Sequence, residues 1–222
     1  MALNKPIGNM YKFVTHTWNA IKGQCIHNCD YCYMKSNWTR FPKQNILRLD
    51  EKTLKDNLGE NRFIFVGSST DMFADNVPKE WIIRTLKYCR QFPKNKYLFQ
   101  TKNPKRFWEF INYFPKDSLL CATIESNRDY NITKAPGVKE RVSYMKNLPF
   151  KIMITIEPIL DFDLREFIDL IKEINPNWVN IGADSKRCDL KEPSKEKIEL
   201  LIEELSKIPT LELKSNLERL RK

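Results

Sequence analysis

Short apolar runs alternate with longer amphipathic segments along the whole chain. The runs are YKFVTHTW (Tyr11 to Trp18), RFIFVG (Arg62 to Gly67), KYLFQT (Lys96 to Thr101), LLCATIE (Leu119 to Glu125), KIMITIE (Lys151 to Glu157) and NWVNIG (Asn177 to Gly182). A weaker seventh is TLELKSN, Thr210 to Asn216. These are the lengths of buried strands. The intervening segments carry helical spacing. NPKRFWEFINYF puts Phe107, Phe110, Ile111 and Phe114 on one face, behind an Asn103 cap and Pro104 at the first helical position. DLREFIDLIKEI repeats the pattern with Leu164, Phe167, Ile168 and Ile171, and SKEKIELLIEEL with Ile198, Leu201, Ile202 and Leu205 behind a Ser194 cap. Pro78 opens a helix carrying Ile82, Leu86 and Cys89, and Asp50 is expected to cap a short helix over Glu51 to Leu58.

Strand–helix alternation implies parallel strands joined by right-handed crossovers. Six or seven units fall short of the eight of a closed barrel. The expectation is an α/β fold, either a partial (β/α)6 barrel, with room for a seventh strand, or an open doubly wound sheet. Either architecture gathers function at the C-terminal ends of the strands.

Composition narrows the classes. The 222 residues suit one domain spanning 1–222, and 41% apolar with 12% aromatic residues supplies its core. No run approaches the roughly 18 apolar residues of a membrane span. The opening MALNKPIGNMYKF has neither the apolar stretch nor the cleavage site of a signal peptide. A cytoplasmic protein with reduced or metal-bound cysteines is therefore expected. Net charge is +10, from 38 Lys and Arg against 28 Asp and Glu, which favours anionic partners.

The candidate chemistry sits in CIHNCDYC. Cys25, Cys29 and Cys32 follow the first run at C-x3-C-x2-C spacing, while Cys89, Cys121 and Cys188 are scattered. A structural zinc site takes four ligands, and His16 or His27 offers a fourth, giving a zinc-stabilised nucleic-acid-binding module without catalysis. A four-iron cluster also takes thiolates, and three of them leave one iron open to a small molecule.

The cysteine spacing, with Tyr31 before the last cysteine, resembles the radical S-adenosylmethionine (radical SAM) superfamily. The resemblance implies a [4Fe-4S] cluster on the three cysteines, with SAM chelating the fourth iron and cleaved reductively to a 5′-deoxyadenosyl radical. It implies SAM contacts at the ends of later strands. Gly67, Ser68, Ser69, Thr70 and Asp71 stand where the superfamily has a Gly-Gly-Glu-like segment, so the amine contact departs from the usual pattern. Thr123 and Glu125 would face the ribose and carboxylate, and Lys102 is a candidate for the carboxylate. Glu157 and Asp184 place acids at two more strand ends. An electron donor such as flavodoxin or ferredoxin is implied, and a partner subunit is left open.

TWNAIKGQC, VGSSTDMF, QTKNPKRF, TIES, TIEPIL and WVNIGAD together are similar to small phage- and prophage-type three-cysteine proteins, from about Trp18 to Lys214. Spore photoproduct lyase, a radical SAM enzyme of DNA repair, is a more distant analogy. Lys35, Arg40, Lys43, Lys102, Lys105, Arg106, Lys186, Arg187 and Lys214, interleaved with Trp38 and Phe41, lie near the inferred active face. That pattern suits phosphates and bases, so nucleic acid or a nucleotide is the expected substrate, with a peptide or small metabolite as the alternative. Cys188 and Tyr33 are candidates to return a hydrogen atom to product.

Overall fold

The computed structural model describes residues 3–222. Ten strands form: β1 (Leu3–Asn4), β2 (His16–Trp18), β3 (Ile21–Lys22), β4 (Arg48–Leu49), β5 (Phe63–Val66), β6 (Lys96–Thr101), β7 (Ser118–Thr123), β8 (Lys151–Ile156), β9 (Trp178–Ile181) and β10 (Leu211–Leu213). The helices are α1 (Lys35–Arg40), α2 (Lys79–Arg90), α3 (Lys105–Glu109), α4 (Val138–Met145), α5 (Leu164–Ile174) and α6 (Lys195–Leu205). The main sheet has eight strands in the order β1-β2-β5-β6-β7-β8-β9-β10, and β3 pairs with β4 in a separate ribbon. From β2 to β10 every neighbour is parallel; β1 alone runs antiparallel. The order never reverses, which removes the doubly wound alternative.

Alternation along the strands explains the two faces. Ile64, Val66, Tyr97, Phe99, Leu120, Ala122, Ile154, Ile156, Val179 and Ile181 pack with the helices' buried residues in the main core. The opposite set includes Phe65, Leu98, Leu119, Cys121 and Met153, and it packs with Tyr11 and Val14. Here the run predicted as one strand divides. Only His16–Trp18 is strand, while residues 10–14 lie over the second face. Phe13 meets Phe63 and Trp178, the first residues of β5 and β9, at ring centroids 4.7 and 4.3 Å away. Tyr11 donates to Gln100, near the end of β6, at 2.9 Å. The segment therefore covers the second face from the ends of the strands, at Gln100, to their starts, at Phe63 and Trp178.

Helices α2, α5 and α6 match their spacing. Asn175 ends α5 in the left-handed region, at φ 53°, and Ser194 caps α6 by accepting from Lys197 N at 3.4 Å. Two expectations change. The helix after Asn103 is short, ending at Glu109, and Pro104 rather than Asn103 is its cap residue. Asn103 instead donates to Phe73 O and Asp75. After Asp50 only a 3-10 turn forms, Thr53–Lys55. Helices α1 and α4 were not anticipated, because neither carries a long apolar stripe.

Candidate functional site

The cysteines occupy one loop after β3, tied down on two sides. Thr70 Oγ1 donates to Gly23 O at 2.8 Å, and Tyr33 Oη to Ser68 O at 2.8 Å. From the other side Lys134 N donates to His27 O at 2.7 Å, and Asp30 N to Ile132 O at 2.9 Å. Thr133 Oγ1 lies 3.2 Å from Cys29 Sγ and also reaches His27 O. Within the loop, Cys32 N bonds Cys29 O at 3.0 Å, and Asn28 takes a positive φ of 45° between the first two cysteines. Asn tolerates that left-handed turn better than most residues.

The thiols suit a thiolate-held group. Burial pushes Cys25 up to about 12, with the Asp71 carboxylate adding to the rise, while the His27 and Asp71 backbone N–H groups favour the thiolate. Burial also raises Cys32, opposed by the Met34 backbone N–H and by Lys102 and Lys35. Amides and cations directed at sulfurs that would otherwise hold their protons are what a metal-bound thiolate needs. Among the described residues, no three His, Cys, Asp or Glu side chains converge on a single metal ion. His27, one candidate fourth zinc ligand, is buried with Nε2 3.1 Å from Asp71 Oδ2, and His16 Nδ1 lies 3.0 Å from Thr15 Oγ1.

Asp71 departs most from its expected role. Its carboxylate meets His27, accepts from Thr101 Oγ1 at 2.9 Å, and accepts from the backbone N–H of Lys102 and Phe73 at 2.9 Å each. Four protein donors fill it. It is an anchor joining the cysteine loop, the end of β5 and the end of β6, rather than a free acceptor for an amine. Ser68 and Ser69 are held by Asn19, whose Oδ1 accepts from Ser69 N at 3.0 Å. Gly67 N donates to Trp18 O at 2.9 Å.

At the end of β7, Glu125 is buried among Lys102 at 3.1 Å, Arg141 at 2.7 Å and the Tyr31 hydroxyl. Burial alone would raise its carboxyl, but the two cations and the Tyr31 hydrogen bond hold it down to about 2. Lys102 Nζ also sits 5.1 Å over the Tyr31 ring. One carboxylate against two cations leaves a surplus positive charge beside the cysteines. Arg141 lies on α4, so it was missed with that helix. Thr123 Oγ1 accepts from Gln100 Nε2 at 3.2 Å.

On the far side, Glu157 at the end of β8 pairs with Lys214 at 2.7 Å and accepts from Asn9 Nδ2 at 2.8 Å. Burial wins here and raises its carboxyl, against the pull of Lys214, Asn216 and Asn9. Lys214 Nζ donates to Asn9 O and stands 4.5 Å over the Tyr11 ring. Gly182 makes the approach feasible, since a Cβ there would lie 2.9 Å from Glu157 Oε1 and 3.1 Å from Lys214 Cδ. Asp184 folds its own loop, accepting from Lys186 N at 2.9 Å and from Cys188 N. A cleft of about 410 Å³ opens at the ends of β9 and β10, lined by Asp184, Ser185, Arg187, Asn216 and Arg219 among others.

The basic set divides. Lys105, Lys186, Arg187, Arg40 and Lys43 are exposed. Arg106 is not: it is buried, donating to Ala74 O at 2.5 Å and Val77 O at 3.0 Å, and so ties a loop rather than a ligand. Trp38 is likewise buried and presents no face for a base, because it is the residue that seats α1. No helix among the described residues is long and apolar enough to cross a membrane.

A family model described as a protein of unknown function (DUF5131) matches residues 9–192. No curated protein matches the sequence. Among solved structures, the chain is similar to spore photoproduct lyase, a radical SAM enzyme. A cysteine-to-serine mutant of that lyase aligns with TM-score 0.66 at 10% identity, over 95% of this chain and 79% of that one. A double mutant with bound AdoMet and dinucleoside spore photoproduct aligns with TM-score 0.57 at 12% identity. That alignment covers 91% of this chain and 64% of the lyase chain. This chain thus has the α/β fold of the lyase, with a mostly parallel central sheet.

Proposed function

The chain belongs to the DUF5131 family, and from that premise and the geometry of its cysteine loop we propose that it is a radical SAM enzyme on a single partial-barrel domain. The observation that carries the reading is the loop itself. Three thiols, Cys25 with backbone amides, Cys32 with an amide and two lysines and Cys29 with the Thr133 hydroxyl, are pinned between the ends of β5 and β7, on the fold of a lyase that binds AdoMet. Cys25, Cys29 and Cys32 would hold a [4Fe-4S] cluster, and their number leaves a position open for SAM. When bound, the pair supplies reductive cleavage of SAM to a 5′-deoxyadenosyl radical that takes hydrogen from substrate.

The protein's own part is placement and charge. Lys102 and Arg141 hold a positive surplus over Glu125, which would suit a carboxylate of SAM. Thr123 presents a hydroxyl on the inner face of β7, and Ser68 and Ser69 line the β5 end. Tyr11, Phe13 and Val14 fill the lower inner face and keep water from that side. Cys188 and the Tyr33 hydroxyl are the candidates to return a hydrogen atom. The resemblance to phage-type three-cysteine proteins supports the same cofactor, and reduced thiols suit a cytoplasmic setting.

For substrate we favour nucleic acid or a nucleotide. The net charge of +10 and the exposed Lys105, Lys186 and Arg187 near the strand ends support it. The test is anaerobic reconstitution with iron and sulfide, then dithionite and SAM, with 5′-deoxyadenosine assayed against Cys29→Ala. Product from the wild type alone is expected. Zinc binding with no cluster assembly would overturn the reading in favour of a binding module.

A further inference from the structure

Strand β1 pairs with β2 at one edge of the main sheet, and β10 forms the other edge. Asn9 is held at the far edge. Its Nδ2 donates to Glu157 Oε1 at 2.8 Å, at the end of β8, and to Ser185 Oγ at 3.0 Å, beyond β9. Its carbonyl accepts from Lys214 Nζ, just beyond β10. Eight strands laid flat would set the two edges about 34 Å apart. The chain from Asn4 to Asn9 reaches at most about 18 Å. The sheet must therefore curl, the face covered by Tyr11 and Phe13 becomes its inner one, and residues 5–9 form a strap between the first and last strands. The strap is lightly held. Lys5, Ile7 and Gly8 are exposed, Ile7 at 89%, and a Cβ on Gly8 would meet nothing within 4 Å. Among the described residues, its hydrogen bonds beyond β1 are those of Asn9.

What the strap closes over is not simply a core. One residue from each of β6 to β9 lines a polar row on the inner face: Gln100, Thr123, Thr155 and Asn180. Packing alone gives no reason to bury amides and hydroxyls there. Gln100 donates to Thr123 at 3.2 Å and Asn180 to Thr155 at 3.4 Å, yet Asn180 Oδ1 is buried with no partner among the described residues. We propose that residues 5–11 are a gate latched by Asn9, and that its opening admits small uncharged polar molecules to this row. The ties that must break are polar: the three bonds of Asn9 and the bond from Tyr11 to Gln100. Water replaces such bonds at small net loss. Lys214 holds Asn9 O and also stands 4.5 Å over the Tyr11 ring, so strap and ring release together. Phe13, seated between Phe63 and Trp178, would expose apolar surface if it left, and it is the anchor that stays. The inference goes beyond the radical SAM reading and calls on no bound cofactor.

Two native cysteines provide the test. Cys121 is fully buried in the inner-face cluster that Tyr11 closes, and Cys89 is fully buried in the main core on the helix side. The full chain is treated anaerobically with N-ethylmaleimide, itself a small uncharged polar molecule, and the initial rate at each cysteine is read by peptide mass spectrometry. In wild type, Cys121 should react about tenfold faster than Cys89 or more, because local opening is more frequent than global unfolding. Asn9→Ala should speed Cys121 by about another tenfold and leave Cys89 unchanged. Ser185→Ala removes one of Asn9's bonds and should give a smaller rise in the same direction. Equal rates at the two cysteines in wild type would overturn the gate, since the strap would then lift only with the whole fold. An equal rise at both in Asn9→Ala would do the same, by making Asn9 a support of the fold rather than a latch, and so would no rise at either. The readout involves neither iron nor SAM, so failure of the gate is distinguishable from failure of the radical reading.

Discussion

Glu125 and Glu157 end neighbouring parallel strands, both are largely buried, and both face lysine, yet their protonation runs in opposite directions. Glu125 has Lys102, Arg141 and the Tyr31 hydroxyl, and its carboxyl is held down to about 2. Glu157 has one cation, Lys214, together with the amides of Asn9 and Asn216, and its carboxyl is raised. Burial pushes both upward; the second cation decides the sign. The difference teaches which half of the molecule is built around fixed charge. The β7 side, next to the cysteines, is a committed ionic centre. The β8 to β10 side is a softer one, where the same residue type is held mainly by neutral donors and where Lys214 takes part of its stabilisation from the Tyr11 ring.

The largest expected effect that would break this contrast is Glu125→Gln. It leaves two buried cations facing one another without a counter-charge, and should cost about 3–5 kcal/mol in urea unfolding. Glu157→Gln, facing a single cation, should cost less, about 1–3 kcal/mol. Equal losses would show that the second cation carries no weight.

Asp71→Asn comes next. It keeps shape but exchanges an acceptor for a donor against His27 or the backbone N–H groups, and should cost about 1–3 kcal/mol. Iron and sulfide content after reconstitution should fall with it, since Asp71 positions the cysteine loop. Full cluster loading in that variant would reduce Asp71 to a purely structural role.

Acid titration sharpens the comparison further. Glu125 has its folded value depressed, so its stabilisation is present above the unfolded value near 4.5 and is lost as pH falls toward about 2; the loss is on the order of 3 kcal/mol. Glu157 has its folded value raised, so its contribution is largest at low pH and is lost as pH rises through that value. Unfolding free energy followed between neutral pH and pH 2 should therefore decline less steeply in Glu125→Gln than in wild type, and slightly more steeply in Glu157→Gln.

The smallest effect on folding is expected at Lys105. Lys105→Ala should leave stability within about 0.5 kcal/mol, while the salt slope of oligonucleotide binding drops by about one. Its neighbour Arg106, buried against Ala74 O and Val77 O, should behave oppositely, with a stability loss and no change in slope.

Much of this arrangement was legible in the chain alone. Apolar runs of strand length separated by helical stripes forecast the parallel sheet, because period and burial are local properties of the side chains. The three cysteines within eight positions announced themselves by spacing, with no need of a distant partner. The misses share a cause. Arg141 and α4 went unseen because Val138–Met145 carries only a short apolar stripe and Arg141's ionic partner, Glu125, stands 16 positions earlier, beyond the reach of helical spacing. Arg106 and Lys105 look alike in sequence, and so do Trp38 and an exposed stacking residue, since adjacency says nothing of which side chain turns inward.

Periodicity and burial thus determined the class of fold, and spacing alone placed Cys25, Cys29 and Cys32 in one loop. Tertiary structure alone decided what each strand-end acid does. Glu157 meets Asn9 across 148 positions and Lys214 across 57, and Asp71 meets His27 across 44. A carboxylate's charge state is set by burial and by the donors brought to it, and those partners are fixed only when the sheet closes its register around them.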